Sequence, residues 1–316
     1  MQRYIIRRAI LNIPVIIIVM VFIFLLLRLQ PGDVLLASIG ETGNYSPEQL
    51  EQFRKELGLS DPIHIQFVNW TGNLLQGDFG NSLWTGQPTW TRFWQAVGVS
   101  IELTIIAIVL AWVIGIPIGI LSAVSQDTAL DYIGRLIAVF GVAAPAFWLG
   151  TMAVAFPAIW WGYQAPLGQK SIFDDPLVNL QQYLLPGFIL GVEGAAGQMR
   201  LCRSQMLEVL RQDYIRTARA KGLAERTVIY RHALRNALIP LVTLWGARIA
   251  GILGGSVIME QLFSLPGVGQ LTLSSFQLRD YTQIQTNIFV VTILLVFVIL
   301  ATDVSYAFVD PRIRYS

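Results

Sequence analysis

The residues best suited to catalysis or metal binding are few in this chain. Its 316 residues contain two histidines, His64 and His232, and one cysteine, Cys202. The sequence has no HExxH, GxSxG or GxxxxGKS/T pattern, and so it offers no metalloprotease helix, nucleophile elbow or phosphate-binding loop. A single cysteine rules out an internal disulfide and a cysteine-based zinc cluster. We therefore predict no catalytic residue, no metal site and no cofactor on this chain.

A dense group of charges lies between two long apolar segments, in the loop from Asp213 to Pro240. Its basic residues alternate with apolar ones, as in two short amphipathic helices. Asp213 is suited to cap the first helix, and Gly222 to end it in the left-handed conformation that a helix C-terminus favours. The second helix is expected from about Glu225 to Leu234. The pattern indicates a docking element at a membrane surface. The basic residues are Arg216, Arg219, Lys221, Arg226, Arg231 and Arg235.

The composition indicates a membrane protein. Hydrophobic residues make up 54% of the chain and charged residues only 13%, whereas soluble domains carry about 25% charged residues. The mean hydropathy is +0.57. The formal net charge of +2 gives no broad basic field, and we therefore predict no nucleic-acid partner.

Six apolar stretches are each long enough to cross about 30 Å of hydrocarbon. The first could be a signal peptide, but its length and the turn after it favour a retained helix. With six crossings, the positive-inside rule places both termini and the charged loop in the cytoplasm. The stretches are about Ala9–Leu27, Val99–Ala123, Ile133–Trp161, Leu184–Leu201, Leu238–Met259 and Ile288–Phe308.

Glycines and prolines predict how these helices pack and bend. Gly115 and Gly119 form a flat face that lets a neighbouring backbone approach closely. Pro117, Pro145 and Pro157 are expected to bend the helices that contain them.

The longest polar interval follows the first crossing and is predicted to be extracytoplasmic. A short helix is expected from Ser46, as N-cap, to Leu57. Four tryptophans are spaced either for a membrane interface or for ordinary packing in a small subdomain: Trp70, Trp84, Trp90 and Trp94.

Charged residues inside the apolar stretches are costly unless they face a cavity or a partner. Glu193 and Arg248 lie farthest from the ends of their predicted helices. They are candidates for a translocation pathway, and the alternative is a structural ion pair between helices or subunits.

The charged loop resembles the cytoplasmic coupling loop of ABC importer permeases, and more narrowly that of the family for dipeptides, oligopeptides and nickel. The general pattern has Glu-Ala-Ala, three residues and a glycine. Here Arg216, Thr217 and Ala218 take the places of Glu-Ala-Ala, Gly222 keeps the glycine, and His232, Leu234 and Arg235 lie in the closing part. The peptide subfamily shares these departures.

The resemblance extends over nearly the whole chain. The long region after the first helix is similar to that of the B-type subunit. The other matching segments are Gly77–Ser82, Ser100–Thr104, Pro145–Gly150, Pro266–Gly269, Arg279–Tyr281 and Asp310–Arg314.

The resemblance implies an all-α polytopic membrane protein with six transmembrane helices, a two-helix cytoplasmic coupling loop and an extended extracytoplasmic region. Its expected divisions are residues 1–28 for the tail and first helix, 29–97 for the extracytoplasmic region, and 98–316 for a five-helix core containing the coupling loop at 204–237. The location implied is the bacterial or archaeal plasma (inner) membrane, with the chain in contact with lipid.

The implied function is that of one half of a peptide pore. A second, homologous permease subunit forms the other half, two ATPase subunits bind ATP and Mg, and an extracytoplasmic binding protein delivers the substrate. The alternatives are import of nickel or another small solute, and, less well matched, an ion-coupled secondary transporter, a channel or a scaffold. The residues expected to couple the chain to the ATPase are Asp213, Arg216, Thr217, Ala218, Arg219, Gly222, Arg231 and His232.

Overall fold

The computed structural model describes residues 2–29, 47–56, 60–164, 166, 168–243, 249 and 256–309, and their regular structure is helical apart from one isolated bridge between Asn81 and Pro88. Residues 256–262 are also helical. The helices are α1 (Gln2–Leu29), α2 (Pro47–Glu56), α3 (Ile63–Leu75), α4 (Thr89–Val124), α5 (Ala129–Ala143), α6 (Ala146–Trp161), α7 (Pro176–Leu210), α8 (Asp213–Ala220), α9 (Glu225–Thr227), a π-helix (Val228–Ala233), α10 (Leu234–Thr243), α11 (Val268–Gln277) and α12 (Tyr281–Val309).

Three of the described helices are long and apolar enough to cross a membrane, and the bent pair α5 and α6 adds a fourth if it forms one span. The three spans lie at Ile6–Leu29, Thr89–Val124 and Tyr281–Thr302. Half of the predicted crossing at Leu238–Met259 lies outside the described residues. Helix α7 covers the predicted crossing at Leu184–Leu201 and extends beyond both of its ends. The six crossings therefore stay a prediction.

The predicted crossing at Ile133–Trp161 is not one straight helix, because the chain breaks there into α5 and α6 at an angle of 88°. That the pair forms one crossing stays a prediction. The break lies at Ala144 and Pro145, which are extended, with ψ of 116° and 132°. Proline lacks the N–H that would continue the helix, and it forces the preceding residue out of the helical region. Pro117 and Pro157, in contrast, lie within α4 and α6 without ending them.

The chain divides into two compact units. The first comprises Met1–Gly98 and Gly267–Phe297. In it, Arg28 at the end of α1 lies 3.4 Å from the centroid of the Phe24 ring and donates to Gln66 of α3 at 2.7 Å. Phe24 also packs against Trp70, with ring centroids 5.7 Å apart. These contacts fasten α3 to the end of α1.

Two of the four tryptophans, Trp90 and Trp94, pack against neighbouring aromatic rings and are also partly exposed. Trp90 stacks on Phe79, with ring centroids 4.5 Å apart, and meets the edge of Trp94. Trp84, Trp90 and Trp94 still expose between 39% and 48% of their surface. The predicted helix start is correct at Pro47, while Ser46 and Leu57 lie outside the described residues.

The second unit comprises Val99–Pro266 and Val298–Ser316. Helices α4 and α7 approach closely through small residues, as predicted. A Cβ on Gly115 would lie 2.7 Å from the carbonyl oxygen of Ala195, and one on Gly119 would lie 2.7 Å from the Cβ of Cys202. This unit carries the charged loop.

Candidate functional site

The charged loop begins directly after α7, which ends at Leu210. Asp213 is the first residue of α8, and so its prediction as the N-cap is wrong. Gln212 holds that position in an extended conformation without a side-chain cap bond. Asp213 still places a negative charge in the first turn, where the helix dipole favours it, and its carboxylate lies 3.5 Å from the guanidinium of Arg216.

Gly222 adopts the left-handed conformation predicted for it, with φ of +77°. Its N–H donates to the carbonyl of Arg219 at 2.9 Å, and the N–H of Leu223 donates to the carbonyl of Ala218 at 3.4 Å. These bonds cap the C-terminus of α8. Among the described residues beyond its two chain neighbours, no heavy atom lies within 4 Å of a Cβ built on Gly222, so the bend depends on backbone conformation and not on close packing.

The second half of the loop differs from the prediction of a short helix ending at Leu234. The chain is helical from Glu225 to Thr243, with a π-helix at Val228–Ala233 in the middle. Ala233, Ala237 and Leu241 are fully buried at intervals of one turn. This apolar stripe continues the helix past the predicted end, because it packs in the same cluster as α7.

The inner face of the loop is built into the second unit. Ile215 and Val228 are fully buried, and Ala218 is 7% exposed. They pack with Ile120 of α4 and Met206 of α7. Ala218, one of the predicted coupling residues, therefore packs within the chain itself.

The outer face carries the remaining predicted residues, and Arg216, Thr217, Arg219 and Arg231 are all exposed. Arg219 is already engaged, since it donates to Glu225 at 2.6 and 3.2 Å across the Gly222 bend. The Arg219 guanidinium lowers the pKa of the Glu225 carboxyl.

This face also exposes three apolar or aromatic side chains whose exposure was not predicted from the sequence. Tyr214, Leu223 and Tyr230 are 43%, 41% and 55% exposed. Asn236 of α10 donates to the Tyr214 hydroxyl at 2.7 Å and to the His232 carbonyl at 3.2 Å. Their position among arginines in the sequence could have indicated a binding surface, because a face that contacts only water would rarely carry large apolar side chains.

Of the two predicted pathway residues, the structure describes only Glu193, and their role stays a prediction. Glu193 is exposed on α7, and Arg248 lies outside the described residues. A different acidic residue is fully buried: Glu260 accepts hydrogen bonds from Ser100 at 2.7 Å and from Ser256 at 2.9 Å. Among the described residues, no group of three or more His, Cys, Asp or Glu could hold a metal ion.

Two of the matching sequence segments, Gly77–Ser82 and Arg279–Tyr281, contact each other in the first unit. In the first unit, buried Asp280 accepts from the Ser82 hydroxyl and, at 3.1 Å, from the N–H of Leu83. Arg92 lies 3.7 Å from the same carboxylate. In the second unit, a Cβ on Gly150 of the segment Pro145–Gly150 would lie 3.0 Å from the side chains of Met259 and Leu262. The segments thus fix local geometry.

Comparison with known proteins gives a consistent result over the whole chain. Residues 115–315 match the family described as "Binding-protein-dependent transport system inner membrane component", and residues 1–104 match its N-terminal companion. The chain is 37% identical to the oligopeptide transport system permease protein AppB of Bacillus subtilis and to the dipeptide transport system permease protein DppB of Alkalihalophilus pseudofirmus, over 100% of all three chains. It is 36% identical to the glutathione transport system permease protein GsiC of Salmonella typhi, again over 100% of both chains.

A solved structure shares the fold. The chain aligns with a chain of the inward-facing MetNI methionine ABC transporter with a TM-score of 0.58 and 19% sequence identity. The alignment covers 71% of this chain and 98% of the other. At this identity the likeness supports the fold alone.

Proposed function

Since this chain belongs to the family of binding-protein-dependent transport system inner membrane components, and is a permease subunit of an ABC peptide transport system, we propose that its loop 213–240 docks on an ATPase subunit. The chain is not itself catalytic, and its family places no cofactor on it. ATP and Mg bind to the partner ATPase subunits. When these two subunits close on each other, they move the loop and the helices behind it.

The observation that carries this proposal is the two-sided construction of the loop. Its inner face is packed into the chain's own core, so that a displacement of the loop must displace α4 and α7. Its outer face exposes arginines beside Tyr214, Leu223 and Tyr230. Tyrosine and arginine are enriched where proteins bind each other, and the guanidinium groups can make charge-assisted bonds with carboxylates.

The proposed topology places this loop and both termini in the cytoplasm, with six crossings. Large side chains on the bent pair support a setting in lipid or against a second permease subunit: Phe140, Ile159 and Trp160 are 68%, 73% and 65% exposed. We place the extracytoplasmic binding protein on the opposite side, near the loop that carries Trp84. The second permease subunit is a homologue, and the complex holds two ATPase subunits.

The proposed substrates are peptides of two to several residues. The names of similar proteins refer to oligopeptide, dipeptide and glutathione transport. The binding protein, and not the pore, is expected to choose among them. Titration of that binding protein with dipeptides, longer peptides and nickel complexes tests the substrate class.

Reconstitution tests the energy source. The purified chain, with its second permease and ATPase subunits, is placed in vesicles containing ATP, and uptake of a labelled peptide from the binding protein is measured. Uptake should require ATP hydrolysis and cease when the ATPase carries an inactivating substitution. Uptake that follows an imposed ion gradient without ATP would contradict the proposal.

The substitution Arg231→Glu tests whether the outer face of the loop binds the ATPase. Reversal of this exposed charge should reduce ATPase recovery on purification of the chain, while abundance in the membrane stays normal. Lys170→Glu is the matched control, because it reverses an exposed charge in a different loop. Equal recovery of the ATPase with both variants would count against docking on this face.

A further inference from the structure

A buried carboxylate joins three parts of the second unit. Asp131 lies in the first turn of α5 and is fully buried. Both of its oxygens accept from Arg203 of α7, at 2.7 Å each, in a bidentate arrangement. The hydroxyl of Ser122 in α4 also donates to it, and so does the N–H of Asp127 at 3.1 Å. The ends of α4, α5 and α7 therefore meet at one side chain.

The turn between α4 and α5 is shaped around this carboxylate. Asp127 in that turn has a φ of +61°, a conformation that residues other than glycine adopt at a cost. Its N–H is thereby held towards Asp131. The hydroxyl and the backbone N–H of Thr128 both donate to the carbonyl oxygen of Ser125, at 2.6 and 3.1 Å. The turn is thus fixed by hydrogen bonds on both of its sides.

This cluster lies beside the inner face of the charged loop. Arg203 directly follows Cys202, and Met206 lies one turn further along α7. Cys202 and Met206 are fully buried in the same cluster as Ile215 and Val228 of the loop. The segment of α7 that supports the loop is therefore also the segment that holds Asp131.

The same arrangement recurs on α4. Ile120 and Ala123 pack against the loop core, and Ser122 between them donates to Asp131. The loop thus contacts two helices, and both of these bond to α5 through one carboxylate. Helix α5 is the first arm of the pair that bends by 88°.

We propose that Asp131 and Arg203 are positioning residues for energy coupling, which carry a displacement of the loop into α5 and the bent pair. The proposal rests on the docking function proposed for the loop. Apolar contacts between helices can slide, whereas a bidentate ion pair has a fixed direction and length. A buried pair of this kind resists separation, because either charge left alone in the interior is costly. The three helix ends consequently move with the loop.

Arg135 provides a matched comparison within the same cluster. Its guanidinium lies 3.4 Å from the Asp131 carboxylate, one turn further along α5, and its side chain is 39% exposed. The side chain of Arg203 is 19% exposed. Both arginines neutralise the same carboxylate, but only Arg203 links α5 to a different helix. A role in coupling requires Arg203, whereas a role in neutralisation would involve both.

The test compares Arg203→Gln with Arg135→Gln in the complete transporter with its ATPase and binding protein. ATPase recovery, the rate of ATP hydrolysis and the peptide taken up per ATP are measured for each. Arg203→Gln should keep ATPase recovery and hydrolysis, while uptake per ATP falls roughly twofold to 30-fold. Arg135→Gln should stay within twofold of the wild type. Arg203→Lys keeps the charge but loses the bidentate geometry, and it should fall between them.

A double variant covers the case in which Arg203→Gln fails to assemble because a buried carboxylate is left alone. Asp131→Asn with Arg203→Gln removes both charges and should assemble with the same reduced coupling. Normal uptake per ATP in the single and double variants, beside a coupled wild type, overturns the positioning role alone. An equal loss in Arg135→Gln also overturns it. A wild-type chain that recruits no ATPase overturns the docking function, and the positioning role with it.

Discussion

Substitution of Gly222 by valine isolates the contribution of the bend in the charged loop. Gly222 has a φ of +77° and open space where a Cβ would lie. The Cβ of a valine there would meet no atom of the described residues beyond its chain neighbours, so the expected cost is that of the left-handed backbone, about 1–2 kcal/mol for a residue with a Cβ. This corresponds to a roughly 5- to 30-fold shift away from the native bend.

The shift has defined structural consequences. It weakens the 2.9 Å bond from the Gly222 N–H to the Arg219 carbonyl. It also separates Arg219 from Glu225, which pair across the bend at 2.6 Å. The outer face then loses its alignment, while the inner face stays packed through Ile215 and Val228. We expect normal insertion and abundance in the membrane, together with ATP hydrolysis that is uncoupled from uptake.

The assay measures membrane abundance, ATPase recovery and peptide uptake per ATP. Gly162→Val is the matched control, because Gly162 has a φ of +61° and no other heavy atom within 4 Å of its Cβ position, and lies outside the loop at the end of α6. Gly222→Asn should remain near wild type, since asparagine tolerates the left-handed conformation. The reasoning is refuted if Gly222→Val couples normally, or if Gly162→Val is equally uncoupled.

Three further predictions concern packing and charge. Gly115→Ala should destabilise the protein by about 1–3 kcal/mol, because its Cβ would lie 2.7 Å from a carbonyl oxygen of α7. Gly98→Ala lies in the same helix with no described atom within 4 Å of its Cβ, and it should raise the stability in thermal unfolding by roughly 0.5–1 kcal/mol, because alanine favours a helix interior over glycine. Asp280→Asn should lower stability by about 1–3 kcal/mol, since an amide cannot accept from all the donors around that buried carboxylate, and a melting temperature equal to wild type would contradict this. The Arg219–Glu225 pair should stabilise the loop by about 0.5 kcal/mol. Because the pKa of Glu225 is lowered in the folded state, the protease-resistance difference between wild type and Arg219→Gln should persist at neutral pH and vanish as the pH falls through that lowered pKa.

Features that depend on neighbouring residues could be predicted from the sequence. The left-handed Gly222, the start of α2 at Pro47 and the break at Pro145 each follow from the conformational limits of one residue. The membrane setting follows from the length and composition of apolar runs. The angle of 88° between α5 and α6 was not predicted, because a proline in the sequence indicates that a helix bends but not by how much.

Features that depend on distant contacts could not be predicted. Asp131 and Arg203 lie in different helices, and nothing in either segment names the partner. The end of the second loop helix was wrong because burial of Ala237 and Leu241 against α7 decides it, and a local pattern does not. The N-cap predicted at Asp213 is Gln212 in the structure, which makes no side-chain cap bond, so side-chain preference alone did not fix the first residue of α8.

The departures of the loop from the general permease pattern separate its two faces. Ala218 and Gly222, which keep the pattern, are the positions that the chain's own structure constrains, through burial in the core and through a positive φ. Arg216 and Thr217, which replace the glutamate and first alanine, are both exposed. Substitutions at exposed positions cost the fold little, so these two residues are free to follow the surface of a partner. The loop therefore keeps its shape through one set of residues and can match a particular ATPase through the other.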